Sequence, residues 1–394
     1  MKKIISVIML CIMVLSFGID CFAFSMENNA AEIISKEKIS DFNLDIPLGG
    51  VYLCESSTGK VLYAENEFKA APIASVTKIM TLLLVCEAID EGRINLKDEV
   101  RISAKAASMG GSQVFLKEGE RITVEELLKA TVIASGNDSS VALAELCFGS
   151  EAAFVKRMNS RAAELGLKNT HFENTTGLDD TVTNHYSCAA DVATISRELI
   201  KHELILKYSS TWQDSIRNGE FVLTNTNRLV RYYDGCNGLK TGSTDRAGYC
   251  VSASAKRDNM QLIAVVLGAD SKDDRNNAAR ELLDYGFANY SLFCKNEEFV
   301  ENTTVTGGIS DIMPLYSKGF RCVVPKSGLK NINSIYDIPQ EIQAPVSEGQ
   351  IVGRITYKLG DEQIGYSDIY AAASCNKITF KEIYFRIIKR IICG

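Results

Sequence analysis

Residues 240–269 read KTGSTDRAGYCVSASAKRDNMQLIAVVLGA, and their pattern sets the architecture. Residues 248–256 and 261–267 are runs of Val, Ile, Leu and small side chains without helical spacing. The polar Arg257-Asp258-Asn259 between them forms a turn, so the stretch predicts an antiparallel hairpin. Residues 276–287 follow with helical periodicity. Working outward, Gly50-Val51-Tyr52-Leu53-Cys54 and Lys60-Val61-Leu62-Tyr63-Ala64 flank Glu55-Ser56-Ser57-Thr58-Gly59 as an earlier strand pair. Between the two strand regions the period is helical, over 75–88, 124–133, 138–146, 151–165 and 188–202. Thr123 is the expected N-cap of the second of these, with Glu125 and Glu126 in its first turn. Strands at both ends with helices between them predict an α/β domain, residues 46–290, whose antiparallel sheet is flanked by helices.

Beyond it, residues 296–374 change to short β-prone runs punctuated by Gly, Pro and Asn, which reads as a small C-terminal all-β domain. No catalytic grouping stands out there, and a spacer role is expected. Residues 377–393 end the chain as an amphipathic helix. Phe380, Ile383, Tyr384, Ile387, Ile388 and Ile391 share one side, and Lys381, Glu382, Arg386, Lys389 and Arg390 lie mostly on the other. It is too short and too charged to cross a bilayer of ~30 Å, but its basic face suits anionic headgroups. At the other end, Met1-Lys2-Lys3 precedes an apolar run from Ile4 to Ile19, and Cys21-Phe22-Ala23 offers a cleavage site. Residues 1–23 are therefore expected to be a signal peptide, and 24–45 a lead segment. The chain is expected to be exported and held peripherally at a membrane surface.

With 394 residues, 46% of them hydrophobic, there is ample chain for a large core and more than one domain. The net charge is −6, and the basic residues gathered at both ends leave the body more acidic still. That argues against nucleic acid as a partner. His171, His185 and His202 lack metal-binding spacing and no paired CxxC occurs, so no metal or other cofactor is expected. Of 12 cysteines, Cys11 and Cys21 fall in the signal. The other ten follow no framework spacing, and Cys147 and Cys250 sit in apolar runs, as small buried hydrophobes do.

Three short motifs carry chemistry. In Ser75-Val76-Thr77-Lys78, helical i,i+3 spacing puts an amine beside a hydroxyl. An alcohol attacks only when a base takes its proton, and lysine is that base only when burial or another cation lowers its pKa. Ser135-Gly136-Asn137 lies in the break between two helices, where a hydroxyl and an amide can relay a proton and hold a peptide group. Lys240-Thr241-Gly242-Ser243-Thr244 enters the first late strand. Gly242 lets another chain approach closely, and Lys240 adds a cation. Each alone also fits an ordinary helix start, helix-connecting turn or strand start.

In this order, SxxK, SxN and KTG are the serine acyl-enzyme set of penicillin-binding proteins and β-lactamases. The chain resembles a low-molecular-weight penicillin-binding protein, a D-alanyl-D-alanine carboxypeptidase of the type-5 kind in peptidase family S11. APIASVTKIMT, GGSQVFL, IASGNDSSVALAE, NTTGLDD followed by HYS, and the 240–269 segment carry the resemblance, which covers nearly the whole chain. It implies a serine β-lactamase/transpeptidase-like domain, and stem peptides of peptidoglycan ending in D-Ala-D-Ala as substrates. It also implies β-lactams that acylate the same serine. By resemblance, Ser75 is the nucleophile, Lys78 its base and Ser135 the proton relay to the leaving D-alanine. The N–H groups of Ser75 and Ser243 would hold the oxyanion, and Asn137 the acyl side of the substrate. Lys240, Thr241 and Thr244 would face the terminal carboxylate, together with Arg275 from the loop after the second late strand. Ser243 departs from relatives, which often carry an aromatic or His there. Three alternatives use the same residues: a D,D-endopeptidase, a class A-like β-lactamase with Glu173 near its deacylating position, and an inert wall-binding module.

Overall fold

The computed structural model describes residues 42–44, 46, 48–180 and 182–393, so the expected signal and nearly all of the lead lie outside them. The described chain forms two compact units, divided between Asn289 and Tyr290.

The first unit is built on a five-stranded sheet. Its strands are β1 (Gly50–Glu55), β2 (Val61–Glu65), β3 (Cys236–Thr244), β4 (Gly248–Arg257) and β5 (Met260–Ala269), in the order β2-β1-β5-β4-β3. Every pairing is antiparallel, with Tyr52 opposite Val265 and Lys240 opposite Ser252. The β4–β5 hairpin turns at Asp258-Asn259, tighter than expected because the strands extend to Arg257 and Met260. In β5, residues 262–267 are all buried, which explains why the sequence there is continuously apolar instead of alternating. Both faces of that strand are covered.

The helical layer comprises α1 (Lys78–Asp90), α2 (Val124–Ile133), α3 (Asn137–Phe148), α4 (Glu151–Glu164) and α5 (Ala189–Leu199), with α6 (Lys272–Asn289) after the sheet. Helix α1 is buried on all sides, from Lys78 through Cys86, and packs against α2 to α5, so it forms the centre of the core. Thr123 caps α2 in a reciprocal box with Glu126.

Three boundaries differ from the sequence reading. The helix expected from Ser75 begins at Lys78, because Ala74–Thr77 is a 3-10 turn with Ala74 at φ 47°. The helix expected over 188–202 ends at Leu199, and a separate one covers Glu203–Ser209. Helix α6 starts at Lys272, four residues early, since Ser271 accepts from the Asp274 N–H and donates to its carboxylate.

The second unit is mostly β. A six-stranded sheet takes the order Ile332–Asp337, Ile351–Leu359, Glu362–Ala371, Ile312–Ser317, Glu298–Thr306 and Glu341–Gln343. Only the last pairing is parallel. A separate ribbon pairs Tyr290–Lys295 with Phe320–Pro325, so Tyr290, expected at the end of the first domain, and residues 291–295, which fall between the two expected domains, belong here. Val305, Leu315, Ile355, Tyr357 and Ile369 fill the core. The final helix, α7 (Phe380–Cys393), exposes Phe380, Ile383, Tyr384, Ile387 and Ile391. No helix among the described residues is long and apolar enough to cross a membrane. Among the described residues, Cys54, Cys86, Cys147, Cys188, Cys236, Cys250, Cys294 and Cys375 are free thiols.

Candidate active site

The SxxK segment is pinned from two sides by glycines. A Cβ on Gly242 of β3 would fall 2.7 Å from the Ser75 nitrogen and 2.9 Å from that of Val76. A Cβ on Gly177 would come within 1.8 Å of the Ala74 carbonyl oxygen. Only bare backbone fits at either place, so the strand and the 173–178 loop close directly on the turn bearing Ser75.

Lys78 is wholly buried. Its Nζ lies 2.8 Å from Ser75 Oγ, 2.6 Å from Asn137 Oδ1 and 3.0 Å from the Thr176 carbonyl oxygen. Burial, and then the charge of Lys240, holds its pKa well below the usual lysine value. A neutral amine has two hydrogens and one lone pair. Asn137 Oδ1 and the Thr176 carbonyl accept the two hydrogens, which leaves the lone pair for the Ser75 hydroxyl proton. The geometry is that of a serine with its base already attached.

The SxN break follows α2. Ser135 takes φ 62°, a left-handed turn that presents its side chain to the cavity. Asn137 also donates from Nδ2 to the Gly110 carbonyl, so its amide fixes Lys78 to the 110–112 loop. Next to it Asp138, fully buried, accepts from the Val114 and Leu116 N–H groups and holds that loop in place.

Lys240 is buried, and its ammonium donates to the Thr241 carbonyl at 2.8 Å. Burial, and then the nearby Arg275, bring its pKa down to about 7. Arg275, expected from a loop, sits instead in the first turn of α6, 5% exposed, with Nε and Nη2 on Asn276 Oδ1. Burial lowers its pKa to about 10, which leaves it cationic at neutral pH.

A cavity of about 680 Å³ brings together Ser75, Ser135, Thr241, Gly242, Ser243 and Arg275. Lys78, Asn137 and Lys240 stand behind its wall. Thr244 is turned away from it. Its hydroxyl donates to Asp179 and accepts from the Ala247 N–H, closing the β3–β4 turn, so it does not face the same space as Ser75. Glu173 does not line the cavity either, and its carboxylate accepts from the Thr183 and Asn184 N–H groups. Among the described residues no group of three or more His, Cys, Asp or Glu is placed to hold a metal.

Two parts of the site have no motif in the sequence. Thr77 Oγ1 lies 2.7 Å from His185 Nε2, whose other nitrogen accepts from the Glu173 N–H. Nε2 therefore carries the proton and donates to Thr77. Burial lowers the His185 pKa to about 4, which keeps it neutral and ties the loop to the nucleophile turn. A second wall is formed by Trp212, Thr226, Arg228 and Tyr232. The Thr241 hydroxyl joins it by donating to Thr226 Oγ1 at 2.8 Å. A single Trp in a polar stretch was the one visible cue to it.

Residues 40–271 match the peptidase S11 family, D-alanyl-D-alanine carboxypeptidase, and residues 287–377 match the C-terminal domain of penicillin-binding protein 5. The D-alanyl-D-alanine carboxypeptidase DacF of Bacillus subtilis (strain 168) is 41% identical over 387 residues, covering 96% of each chain. DacD of Escherichia coli (strain K12), another D-alanyl-D-alanine carboxypeptidase, is 35% identical, covering 82% of this chain and 85% of its own length. Among solved structures, penicillin-binding protein 5 from Haemophilus influenzae superposes with TM-score 0.74 at 30% identity, over 86% of this chain and 100% of that one. Penicillin-binding protein D2 from Listeria monocytogenes, in its ampicillin-bound form, superposes with TM-score 0.58 at 30% identity, over 62% of this chain and 100% of that one.

Proposed function

This chain belongs to the D-alanyl-D-alanine carboxypeptidase family S11 and is a serine-type carboxypeptidase, and on that premise we propose how its residues divide the reaction. Ser75 attacks the carbonyl between the two terminal D-alanines of a peptidoglycan stem peptide while Lys78 takes its proton. The Ser75 and Ser243 N–H groups hold the oxyanion, which develops at the mouth of the turn that Gly242 lets β3 reach. Ser135 passes the proton to the leaving amine. Thr241 and Arg275 take the terminal carboxylate, with Lys240 supplying positive charge from behind. Thr244 shapes the β3–β4 turn instead of touching substrate. Asn137 holds Lys78 through Oδ1 and keeps a second Nδ2 hydrogen for the acyl side of the substrate. Water then hydrolyses the ester. A β-lactam acylates Ser75 by the same route and leaves more slowly.

The observation that carries this reading is the buried Lys78 amine, 2.8 Å from Ser75 Oγ, its pKa held well below the usual lysine value by burial and Lys240. The test uses the chain without residues 1–23 and a diacylated Lys-D-Ala-D-Ala peptide. D-alanine release should be penicillin-sensitive, and Ser75→Ala should abolish both release and penicillin labelling. Labelling that persists in Ser75→Ala would place the nucleophile elsewhere.

The same reading puts the protein outside the cell, through the signal at 1–23, with α7 lying on the membrane surface. At 1.5 Å per residue the helix is roughly 21 Å long, and its apolar side stands exposed. Removing 377–394 should release the protein from anionic vesicles and leave peptide hydrolysis intact. Retention on vesicles after that deletion would assign the anchor to another segment.

A further inference from the structure

The loop from Gly110 to Leu116 meets the chemistry at Asn137. Its Gly110 carbonyl accepts from Asn137 Nδ2 and its Ser112 carbonyl from the Asn137 N–H, each at 2.7 Å. A Cβ on Gly111 would fall 2.9 Å from the same Nδ2, so the loop backbone lies directly against the amide. Whatever holds this loop therefore sets where Asn137 Oδ1 stands, and Oδ1 is one of the two acceptors that orient the Lys78 amine. Asp138 holds the loop from one side, through the Val114 and Leu116 N–H groups.

Arg217 holds it from the other. It comes from the turn joining Gln213–Ile216 to Phe221–Thr224, an antiparallel ribbon whose last residue lines the cavity with Asn225 and Thr226. Its Nη1 donates to the Val114 carbonyl at 2.9 Å and its Nη2 to the Phe115 carbonyl at 3.2 Å. Val114 thus gives its N–H to a carboxylate and its carbonyl to a guanidinium, two charge-assisted bonds on one residue. The guanidinium is itself fixed by Glu120, with Nε 2.7 Å from Oε1 and Nη2 3.3 Å from Oε2. The Arg217 N–H reaches Glu126 Oε1 at 2.8 Å, the oxygen that the α2 capping box does not use. Phe221 lies under the guanidinium at 5.6 Å and meets Phe115 edge-on at 6.2 Å. Phe115, Arg217 and Asn218 all take the left-handed region, at φ 57°, 54° and 54°. Residues other than glycine keep that region only where their surroundings hold them there, and here both sides of the contact do so.

We propose that Arg217 is a positioning residue for acylation: it clamps the 110–116 loop, and the loop keeps Asn137 where Lys78 needs it. This rests on the reading in which Lys78 is the base and Asn137 its acceptor. Held by Asp138 alone, the loop would be free to turn about Val114 and carry Gly110 and Ser112 off Asn137. Clamped by charge on both sides it has one position, and no arriving substrate has to order it first.

The experiment follows penicillin acylation by rapid mixing, in the chain lacking residues 1–23 and in its Arg217→Gln variant. The limiting rate at saturating penicillin should fall by about tenfold or more, with the fraction of enzyme finally labelled unchanged. A fold loosened in general would instead lower the labelled fraction at an unchanged rate, and that outcome overturns the inference. Arg217→Lys keeps a cation for Glu120 but gives up the fork on two carbonyls, so it should recover only part of the rate. It also carries the test if the Gln variant does not fold. The decisive comparison is made in Asn137→Ala, where the clamp has no amide left to position. There Arg217→Gln should cost less than about twofold. The inference is overturned if Arg217→Gln acylates within about twofold of the unmodified chain, or if its full loss persists in the Asn137→Ala background. A native rate in Asn137→Ala itself would overturn it together with the role given to Asn137 above, whereas a native rate in Arg217→Gln leaves that role standing.

Discussion

The two units bury comparable kinds of apolar core but very different polar groups. In the unit spanning 42–289, Lys78, Lys240, Arg275, Asp138, Asp191 and His185 are all buried. In the unit from 290 onward, the buried polar residues among those described are the hydroxyls Thr303, Ser317 and Ser367. Hydroxyls are inexpensive to bury once they find a carbonyl, as Thr303 does on Pro339 and Ser317 on Glu298. Ionisable groups are expensive, by several kcal/mol each if charged. Each needs a partner or a task to stay inside: Asp138 holds the Val114 and Leu116 N–H groups, while Lys78 and Lys240 carry lowered pKa values beside Ser75. The contrast separates a unit organised for chemistry from one organised for shape.

The sharpest way to break that contrast is Lys78→Ala. If the buried amine is there as a base, acylation by penicillin should slow by ~10²–10⁴-fold. A loss below tenfold, read by rapid-mixing acylation kinetics, would make the lysine structural. In the unmodified enzyme the acylation rate should rise with pH as Lys78 loses its proton. The midpoint should lie below the usual lysine value, because burial and Lys240 both disfavour the ammonium.

Next in size is Gly177→Ala. The new methyl would meet a backbone oxygen at 1.8 Å with φ at +77°, so neither partner can yield cheaply. Displacing the Ser75 turn by even ~1 Å should cost on the order of 10²-fold in acylation. Near-normal kinetics would show that the loop does not set the nucleophile's position.

His185 offers a stability test confined to the first unit. Its ring is neutral when folded, with a pKa of about 4, against about 6.5 unfolded. Between those values the unfolded chain binds the extra proton, so stability falls as pH drops. The loss should approach about 3 kcal/mol at pH 4. Denaturant unfolding at pH 7 and pH 4.5 should show a larger drop for the native chain than for His185→Gln. Equal drops would assign the acid sensitivity to other groups.

The smallest effect is expected from removing the second unit. A chain ending at Asn289 should hydrolyse a soluble diacyl tripeptide within about twofold of the full chain, since none of the groups placed on the reaction lies beyond Arg275. A loss of tenfold would give the β unit a part in catalysis.

Much of the first unit was legible because its cues are local. The apolar hairpin after KTG, the Thr123 cap and the SxxK spacing each act over a few residues, and each lies near where its pattern put it. Arg275 was placed in a loop although the signal for a helix existed: Ser271 followed by Asp273 and Asp274 is a helix start. Thr244 was misplaced because its partners, Asp179 and the Ala247 N–H, depend on the turn that follows KTG and not on the motif. His185 and the 212–232 wall were illegible for a different reason. Their contacts cross from 77 to 185 and from 226 to 241 in segments with no periodicity, so tertiary folding alone creates them. In the β unit, strands such as Ile351–Leu359 were visible, while the joining of residues 290–295 to Phe320–Pro325 was not, because pairing partners leave no mark in a single strand.

The free thiols described with the fold give the molecule a clock. Cys54, Cys86 and Cys250 lie in the first unit's interior, and burial pushes their pKa values up to about 12, about 12 and about 11. Attack on a disulfide reagent requires the thiolate, which is scarce at neutral pH and enclosed besides. Each of these sulfurs therefore reacts at the frequency with which its surroundings open. With reagent in enough excess that blocking outpaces reclosing, counting blocked cysteines against time would read the lifetime of the closed core with no denaturant present.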